Sequence, residues 1–259
     1  MAGRARRRVT VAGPRLDVTL VAARRPGLLR RTLASFQEGL FANFPLGAVH
    51  ANIDPVFGDD ADHAACRAAI LATFPGAVIS EPESPGFGRA VKALWAATGS
   101  EVVFHLEDDW LLNEPLRPEE VLPLLAGDTR ALALVSKEIG WNGHDLYKET
   151  RTRVKLLGIT VRRDVVAAFG TSPRFLEGDF ARRCAALMDP ELDPEKQMRP
   201  PHNPDLRAYM RGFRCRFLPA REHAELITDI GRAWRDQRGI EKMVVGGTSV
   251  WTQGSGGKR

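Results

Sequence analysis

The 259-residue chain predicts an α/β fold, with a single Rossmann-like, mostly parallel sheet and helices on both faces. Three observations predict it. Short apolar, β-branched runs alternate with segments of helical spacing from residue 16 to residue 106. Pro, Gly or Asp punctuates the junctions, and no internal repeat or strong linker interrupts residues 16–245. Strands alternating with helices at this spacing form βαβ units, whose crossovers cover both faces of the sheet.

The elements follow in order. Residues 1–15 read as a basic arm closed by Gly13-Pro14. The run LDVTLVA, Leu16 to Ala22, has strand composition, and Arg24-Arg25-Pro26-Gly27 breaks it. Leu28, Leu29, Leu33 and Phe36 then share one helical stripe. A second strand, Ala48 to Ile53, ends at Asp54-Pro55, and an alanine-rich helix, Asp59 to Phe74, stops at Pro75-Gly76. Ala77 to Ser80 is a third strand, Glu81 to Gly88 a Pro/Gly loop, Arg89 to Ala97 a helix and Glu101 to Leu106 a fourth strand. The second half is less regular. Strands are expected at Ala131 to Ser136 and Leu156 to Arg162, with a polar loop from Lys137 to Arg153. A short helix is expected at Val165 to Phe169, and further helices at Phe180 to Met188 and Asp205 to Arg211. Phe213 to Leu218 suits an edge strand, and residues from Gly246 onward read as a loose Gly/Ser-rich tail.

Composition narrows the function classes. No apolar run approaches the roughly 20 residues of a membrane helix. No apolar stretch follows the Arg-rich start in signal-peptide fashion, so the expected location is cytoplasmic with no transmembrane segment. Cys66, Cys184 and Cys215 are widely spaced, which argues against a zinc site or a disulfide framework. The formal charge of +5 comes with arginine clusters, such as Arg4 to Arg8 and Arg30-Arg31. Such clusters read either as a solvated surface or as a field that draws a polyanion: nucleotide diphosphate, nucleic acid or acidic lipid.

In open α/β sheets ligands sit beyond the carboxyl ends of the strands, which here points to Arg24, Asp54 and Glu107 to Asp109. The segment VVFHLEDDWLL sets three carboxylates directly after an apolar strand. Clustered like charges cost free energy unless a cation or several donors compensate, and oxygen ligands suit a hard ion such as Mg²⁺ or Mn²⁺. Adjacent strand residues face opposite ways, so the three side chains divide the work. Asp109 is the candidate direct ligand, Asp108 serves ribose or metal, and Glu107 supports. The competing reading is an acidic turn that caps a helix. In SPGFGRAV, Gly86 and Gly88 would permit positive φ and close backbone approach at the start of a helix, with Arg89 and Lys92 adding positive charge.

Taken in order, these motifs resemble the GT-A fold glycosyltransferases, especially the large family-2-like group. The resemblance runs from Val18–Val21 and Arg25-Pro26-Gly27-Leu28-Leu29 through Thr32-Leu33-Ala34-Ser35. It continues with the strand ending at Asp54, the Pro85-Gly86-Phe87-Gly88-Arg89-Ala90 loop and Leu106-Glu107-Asp108-Asp109-Trp110. It covers residues 16–112 well and the remainder loosely. It implies a nucleotide-sugar donor, with UDP-sugar favoured. Ala23 to Arg25 and Asp54 would line the nucleoside pocket, the Gly86–Arg89 loop would approach the base, and a DxD-like motif would use Glu107, Asp108 and Asp109. Arg24, the single Asp54 and Lys92 depart from the family pattern and leave the base open.

An inverting transfer needs a base near the acceptor hydroxyl. Asp179, Glu195 and Glu177 are the candidates; Asp179 could equally cap a helix. Trp141, His144 and Tyr147 offer faces to an acceptor ring, or close the core. By resemblance, a late histidine, His223, could complete a metal shell. Arg232 and Arg235 lie three apart and could clamp phosphate from one helix face, while Lys242 could belong to a lid. The expected activity is metal-dependent transfer of a sugar to a hydroxyl of a glycan, lipid-linked saccharide, small molecule or hydroxylated DNA base. A nucleotidyltransferase and a non-catalytic nucleotide-sugar-binding protein are the alternatives.

Overall fold

The computed structural model describes residues 13–156, 159–245 and 248–253. The basic arm expected at the start lies, up to residue 12, outside the described residues. The strands are β1 (Leu16–Ala23), β2 (Leu46–Asp54), β3 (Val78–Ser80), β4 (Val102–Glu107), β5 (Trp110–Leu112), β6 (Thr129–Leu134), β7 (Glu149–Leu156), β8 (Ile159–Ala167), β9 (Arg174–Glu177), β10 (Arg214–Leu218), β11 (Ile227–Asp229), β12 (Ile240–Val245) and β13 (Thr248–Gln253). The α-helices are α1 (Pro26–Phe36), α2 (Asp60–Thr73), α3 (Phe87–Ala96), α4 (Pro118–Val121), α5 (Gly178–Leu187), α6 (Pro194–Gln197), α7 (Pro204–Met210) and α8 (Gly231–Asp236).

Seven strands form the central sheet in the order β10-β6-β9-β4-β1-β2-β3. The β1, β2, β3 and β4 pairings are parallel, and so is that of β6 with β10. Strand β9 runs antiparallel between β4 and β6. Side-chain alternation along the strands sorts the core into two layers. Leu16, Val18, Leu20 and Ala22 of β1 face Leu29, Leu33 and Phe36 of α1 and Ile70 of α2. Val21 faces the other layer, with Val91 and Trp95 of α3 and Phe180 and Cys184 of α5. In the first layer the ring of Phe104 lies 4.8 Å from Phe175 and 5.6 Å from Phe36.

His105 faces the second layer and is fully buried. Its Nδ1 accepts from Trp95 Nε1 (3.1 Å) and pairs with Thr19 Oγ1 (2.9 Å). Burial and the nearby Arg174 push it down to about 3, so it is a neutral core residue.

The first half matches the sequence expectations closely, and Asp59 adds a capping box that opens α2. The second half departs from them. The expected loop before Arg153 is partly strand β7, and the expected helix at Val165 to Phe169 is the end of β8, where Val165 and Val166 pair with Arg151 and Thr150. β-branched residues favour that outcome. Thr248–Gln253, read as loose tail, pairs with β12. Phe213 to Leu218 does form the edge, as β10.

Candidate active site

The carboxyl ends of β1, β2 and β4 open into a cavity of about 790 Å³. It is organised around Arg25, which follows β1 and stands at the N-cap of α1. The Arg25 guanidinium pairs with both carboxylate oxygens of Asp108 and reaches Asp109 Oδ2 at 3.1 Å. The Ala23 N–H donates to Asp108 Oδ2 at 3.0 Å, and Thr32 Oγ1 donates to the Asp108 carbonyl at 2.9 Å. Burial and neighbouring Asp109 push the Asp108 carboxyl up, against the pull of Arg25. Arg25 itself is held protonated by both aspartates despite its burial. The rings of Phe57 and Trp234 lie 5.4 and 5.5 Å from the same guanidinium. Phe57 takes φ +70, an uncommon backbone state for a bulky residue.

Asp109 turns toward the C-terminal part of the chain. Strand β11 pairs antiparallel with β5, bringing Asp229 opposite Trp110, and the Ile230 N–H donates to the Asp109 carbonyl at 2.9 Å. Arg235 of α8 bridges the two carboxylates, 3.2 Å from Asp109 and 3.7 Å from Asp229. Arg232 adds a longer contact to Asp229, 3.9 Å. Burial, then Asp109, raises the Asp229 carboxyl, while the Arg232 N–H and Arg235 oppose the rise. Gly231 is required here, because a Cβ would sit 2.0 Å from Asp109 Oδ2. Glu107 also borders the cavity, where its Oε2 accepts from the Trp110 indole at 3.2 Å.

Asp54 ends β2 on the same cavity. It accepts from Asn52 Nδ2 at 2.8 Å and from the Gly86 N–H at 3.2 Å. The glycines beside it serve a different purpose from the one the sequence suggests. Helix α3 already begins at Phe87, and neither Gly86 nor Gly88 has positive φ. A Cβ on Gly88 would meet the Leu192 and Pro190 carbonyls at 2.3 and 2.5 Å, so the glycine admits the backbone of 190–192. Arg89 lines the cavity while pairing with Glu191 at 3.0 Å.

A second charged group lies on the same cavity. Lys148, next to the edge strand, and Glu195 of α6 both line it, with Thr171, Ser172 and Arg199. Burial works to raise the Glu195 carboxyl. The Thr171 N–H (3.0 Å) and the charges of Arg174, Lys148 and Arg199 outweigh it and hold the carboxyl below its ordinary range.

Other sequence candidates go elsewhere. Because β9 is antiparallel, Glu177 pairs with Val102 at the start of β4, the end of the sheet remote from Asp109. There Glu177 caps α5, and exposed Asp179 pairs with Arg182 at 2.6 Å. Lys92 donates to the Met188 carbonyl, and Arg24 pairs with Asp60 at 3.0 Å; neither lines the cavity. Trp141, His144 and Tyr147 do not border it either. The Trp141 indole donates to the Asp145 carbonyl, His144 is exposed, and Tyr147 lies under Arg214 at 4.6 Å. His223 is exposed and gives its backbone N–H to Glu114. Lys242 sits in β12, and its side chain lies outside the described residues. Sequence reasoning passed over Lys148, Thr171 and Arg199 as site residues. Asp229 was not singled out either, although a short strand ending in Asp-Ile-Gly was a usable signal.

Among the described residues, no three His, Cys, Asp or Glu side chains form a ready metal cage. Ions such as Mg²⁺, however, are commonly held by one or two carboxylates, with substrate phosphates and water completing the shell. Asp109 and Asp229 fit that pattern, an all-oxygen pair bridged by a guanidinium that stands where a cation would.

The fold recurs in solved structures. The mannosyltransferase PcManGT from Pyrobaculum calidifontis, in complex with GDP-Man and Mn²⁺, superposes with a TM-score of 0.52 at 16% identity. That match covers 87% of this chain and 61% of that one. TarS 1-349 of S. aureus matches with a TM-score of 0.50 at 13% identity, over 83% and 60%. The chain thus spans about three-fifths of the length of these structures. No family model and no curated protein matches it. The fold is that of the GT-A glycosyltransferases.

Two outcomes follow. Asp108→Asn withdraws one of the two carboxylates facing a buried guanidinium, so unfolding free energy in urea should fall by about 3 kcal/mol. Glu114 accepts the N–H groups of Arg221, Glu222 and His223 and thereby anchors the approach to β11. Those bonds lower its carboxyl from 4.5 to about 2 against the opposing effect of burial. Its stabilisation is therefore complete above 4.5 and disappears as pH falls toward 2. Thermal melts of Glu114→Gln should lose less stability than the native chain across that interval.

Proposed function

We propose that the protein is a glycosyltransferase that moves a sugar from a nucleoside-diphosphate donor to a hydroxyl acceptor. The observation that carries this reading is a single cavity bordered by Asp54, the entry of α3, Asp109 and Arg235. These residues come from chain segments far apart in sequence and supply different parts of donor recognition. Asp54 and the adjoining backbone suit hydrogen bonding to a nucleoside. Asp108 fixes Arg25 under the donor, and Arg232 and Arg235 suit the diphosphate through charge-assisted bonds. UDP-sugar is the favoured donor on the family resemblance; PcManGT, of like fold, holds GDP-Man.

Asp109 and Asp229 would hold Mn²⁺ or Mg²⁺, which when bound offsets the charge that grows on the departing diphosphate. Glu195 is the favoured base. It is ionised at neutral pH and borders the cavity, whereas Glu177 and Asp179 do not. In the transfer, the acceptor oxygen forms a bond to the anomeric carbon as the bond from that carbon to the diphosphate oxygen breaks. The hydroxyl proton passes to Glu195, and the nucleoside diphosphate leaves with the electron pair. Such a displacement inverts the anomeric centre.

A thermal-shift panel of nucleoside diphosphates tests the donor site. One nucleotide should stabilise the chain more with Mn²⁺ than without, and with the metal its total stabilisation should reach about 2.7 kcal/mol at a hundredfold excess over Kd. Asp109→Asn and Asp229→Asn should each abolish the metal-dependent increment. If no nucleoside diphosphate shifts the melt, the reading fails; stabilisation by triphosphates alone would favour a nucleotidyltransferase. Glu195→Gln should retain nucleotide binding and lower transfer by roughly 10²–10⁴ in kcat, the usual contribution of a positioned base.

A further inference from the structure

The three cations around Glu195 outnumber it and Glu107, which also acts on Arg174. Lys148 is anchored beside the edge strand, its N–H donating to the Cys215 carbonyl at 2.8 Å. Arg174 opens β9 and is fully buried, and Arg199 follows α6 with its side chain exposed. All three act electrostatically on Glu195. Gly170 lets the group close up, since a Cβ there would lie 2.7 Å from Glu195 Oε1 and 3.1 Å from Arg174 Nη2. Arg174 gives Nε and Nη2 to the carbonyl and hydroxyl of Ser172, both at 2.8 Å. Its Nη1 is buried with no hydrogen-bond partner among the described residues.

The donor end is different. Arg25 and Arg235 each face two carboxylates, and Arg232 faces one. Unanswered positive charge is therefore concentrated around Glu195, where a buried cationic donor lacking an acceptor carries a free-energy cost that an anion would relieve.

Resting on the glycosyl-transfer reading, we propose that Lys148 and Arg199, which line the cavity, form with the supporting charge of the buried Arg174 an acceptor subsite for an anionic group, a phosphate monoester or carboxylate carried beside the hydroxyl that receives the sugar. Two consequences follow from the charges. The three cations keep the Glu195 carboxyl weakly basic, so an arriving anion raises its basicity only when the acceptor is present. Burial, then Arg174, lowers the Lys148 ammonium to about 8, with Arg199 acting the same way and Cys215 and Glu195 opposing. The site is fully charged below that value and loses a cation above it.

Isothermal titration of the full chain with inorganic phosphate, and separately with succinate, tests the subsite. Each titration is run with and without the nucleoside diphosphate and Mn²⁺ selected by the thermal-shift panel. The native chain should bind one of the anions with the nucleotide present. Affinity should fall about tenfold in Lys148→Met, one charge-assisted contact's worth, and severalfold in Arg199→Gln, whose exposed side chain is not needed for folding. Lys148→Arg should keep it, Arg67→Ala at an exposed position on α2 should leave it within about twofold, and it should weaken as pH rises through about 8. A preference for phosphate or for succinate identifies the anion, and either supports the subsite. Absence of binding by both, or equal affinity in the native chain and Lys148→Met, overturns it. So does loss in Arg235→Ala alone, which would put the anion in the diphosphate position. If no nucleotide binds in the panel, the donor reading fails on that result, while titrations of the nucleotide-free chain still decide the subsite.

Discussion

Arg25 sits where three requirements meet. Its guanidinium is buried, so its charge must be answered inside the protein, and Asp108 and Asp109 answer it. Those contacts tie the end of β1 and the start of α1 to the turn between β4 and β5. The same group lies over the rings of Phe57, on one loop, and of Trp234, on α8. A lysine could satisfy neither the forked pairing nor the ring contacts. The positive φ of Phe57 is a local cost that the surrounding contacts hold in place. Adjacent carboxylates would otherwise repel one another, so this cation allows an acidic strand end to be assembled at all.

From that point the cavity divides electrically. At one end Asp109 and Asp229 draw Arg235 between them. At the other, Lys148, Arg174 and Arg199 outnumber Glu195 and Glu107. Sites that move charge between two substrates gain from such preorganised contrast, because the dipoles are in place before reaction and need no rearrangement.

The antiparallel strand β9 decides which acids can take part. It starts beside His105, near the cavity, and finishes beside Val102 at the far end of the sheet. Thr171 and Ser172 are thereby delivered to the cavity, whereas Glu177 and Asp179, only a few residues later, are carried about a strand's length away. Judging by sequence position, an acidic pair ahead of a helix looked like the base-bearing segment. Chain direction takes that pair away from the cavity, whereas Glu195 borders it through the loop and short helix that follow α5.

What the sequence by itself determined was whatever local physics controls. The strand composition of LDVTLVA, the breakers after it, the Pro75-Gly76 stop and the apolar run into Glu107-Asp108-Asp109 specified the β1-to-β4 half and its acidic edge. Each of those signals acts over a few residues. Only the tertiary structure decided the partners of that edge: Arg235 and Asp229 arrive from more than 100 residues away through the β11–β5 pairing, and Lys148 meets Glu195 through the insertion of β9. The purpose of Gly88 also became visible only when the 190–192 backbone was seen resting on it. Long-range pairing depends on burial summed over the whole sheet, and no single stretch of chain carries that sum.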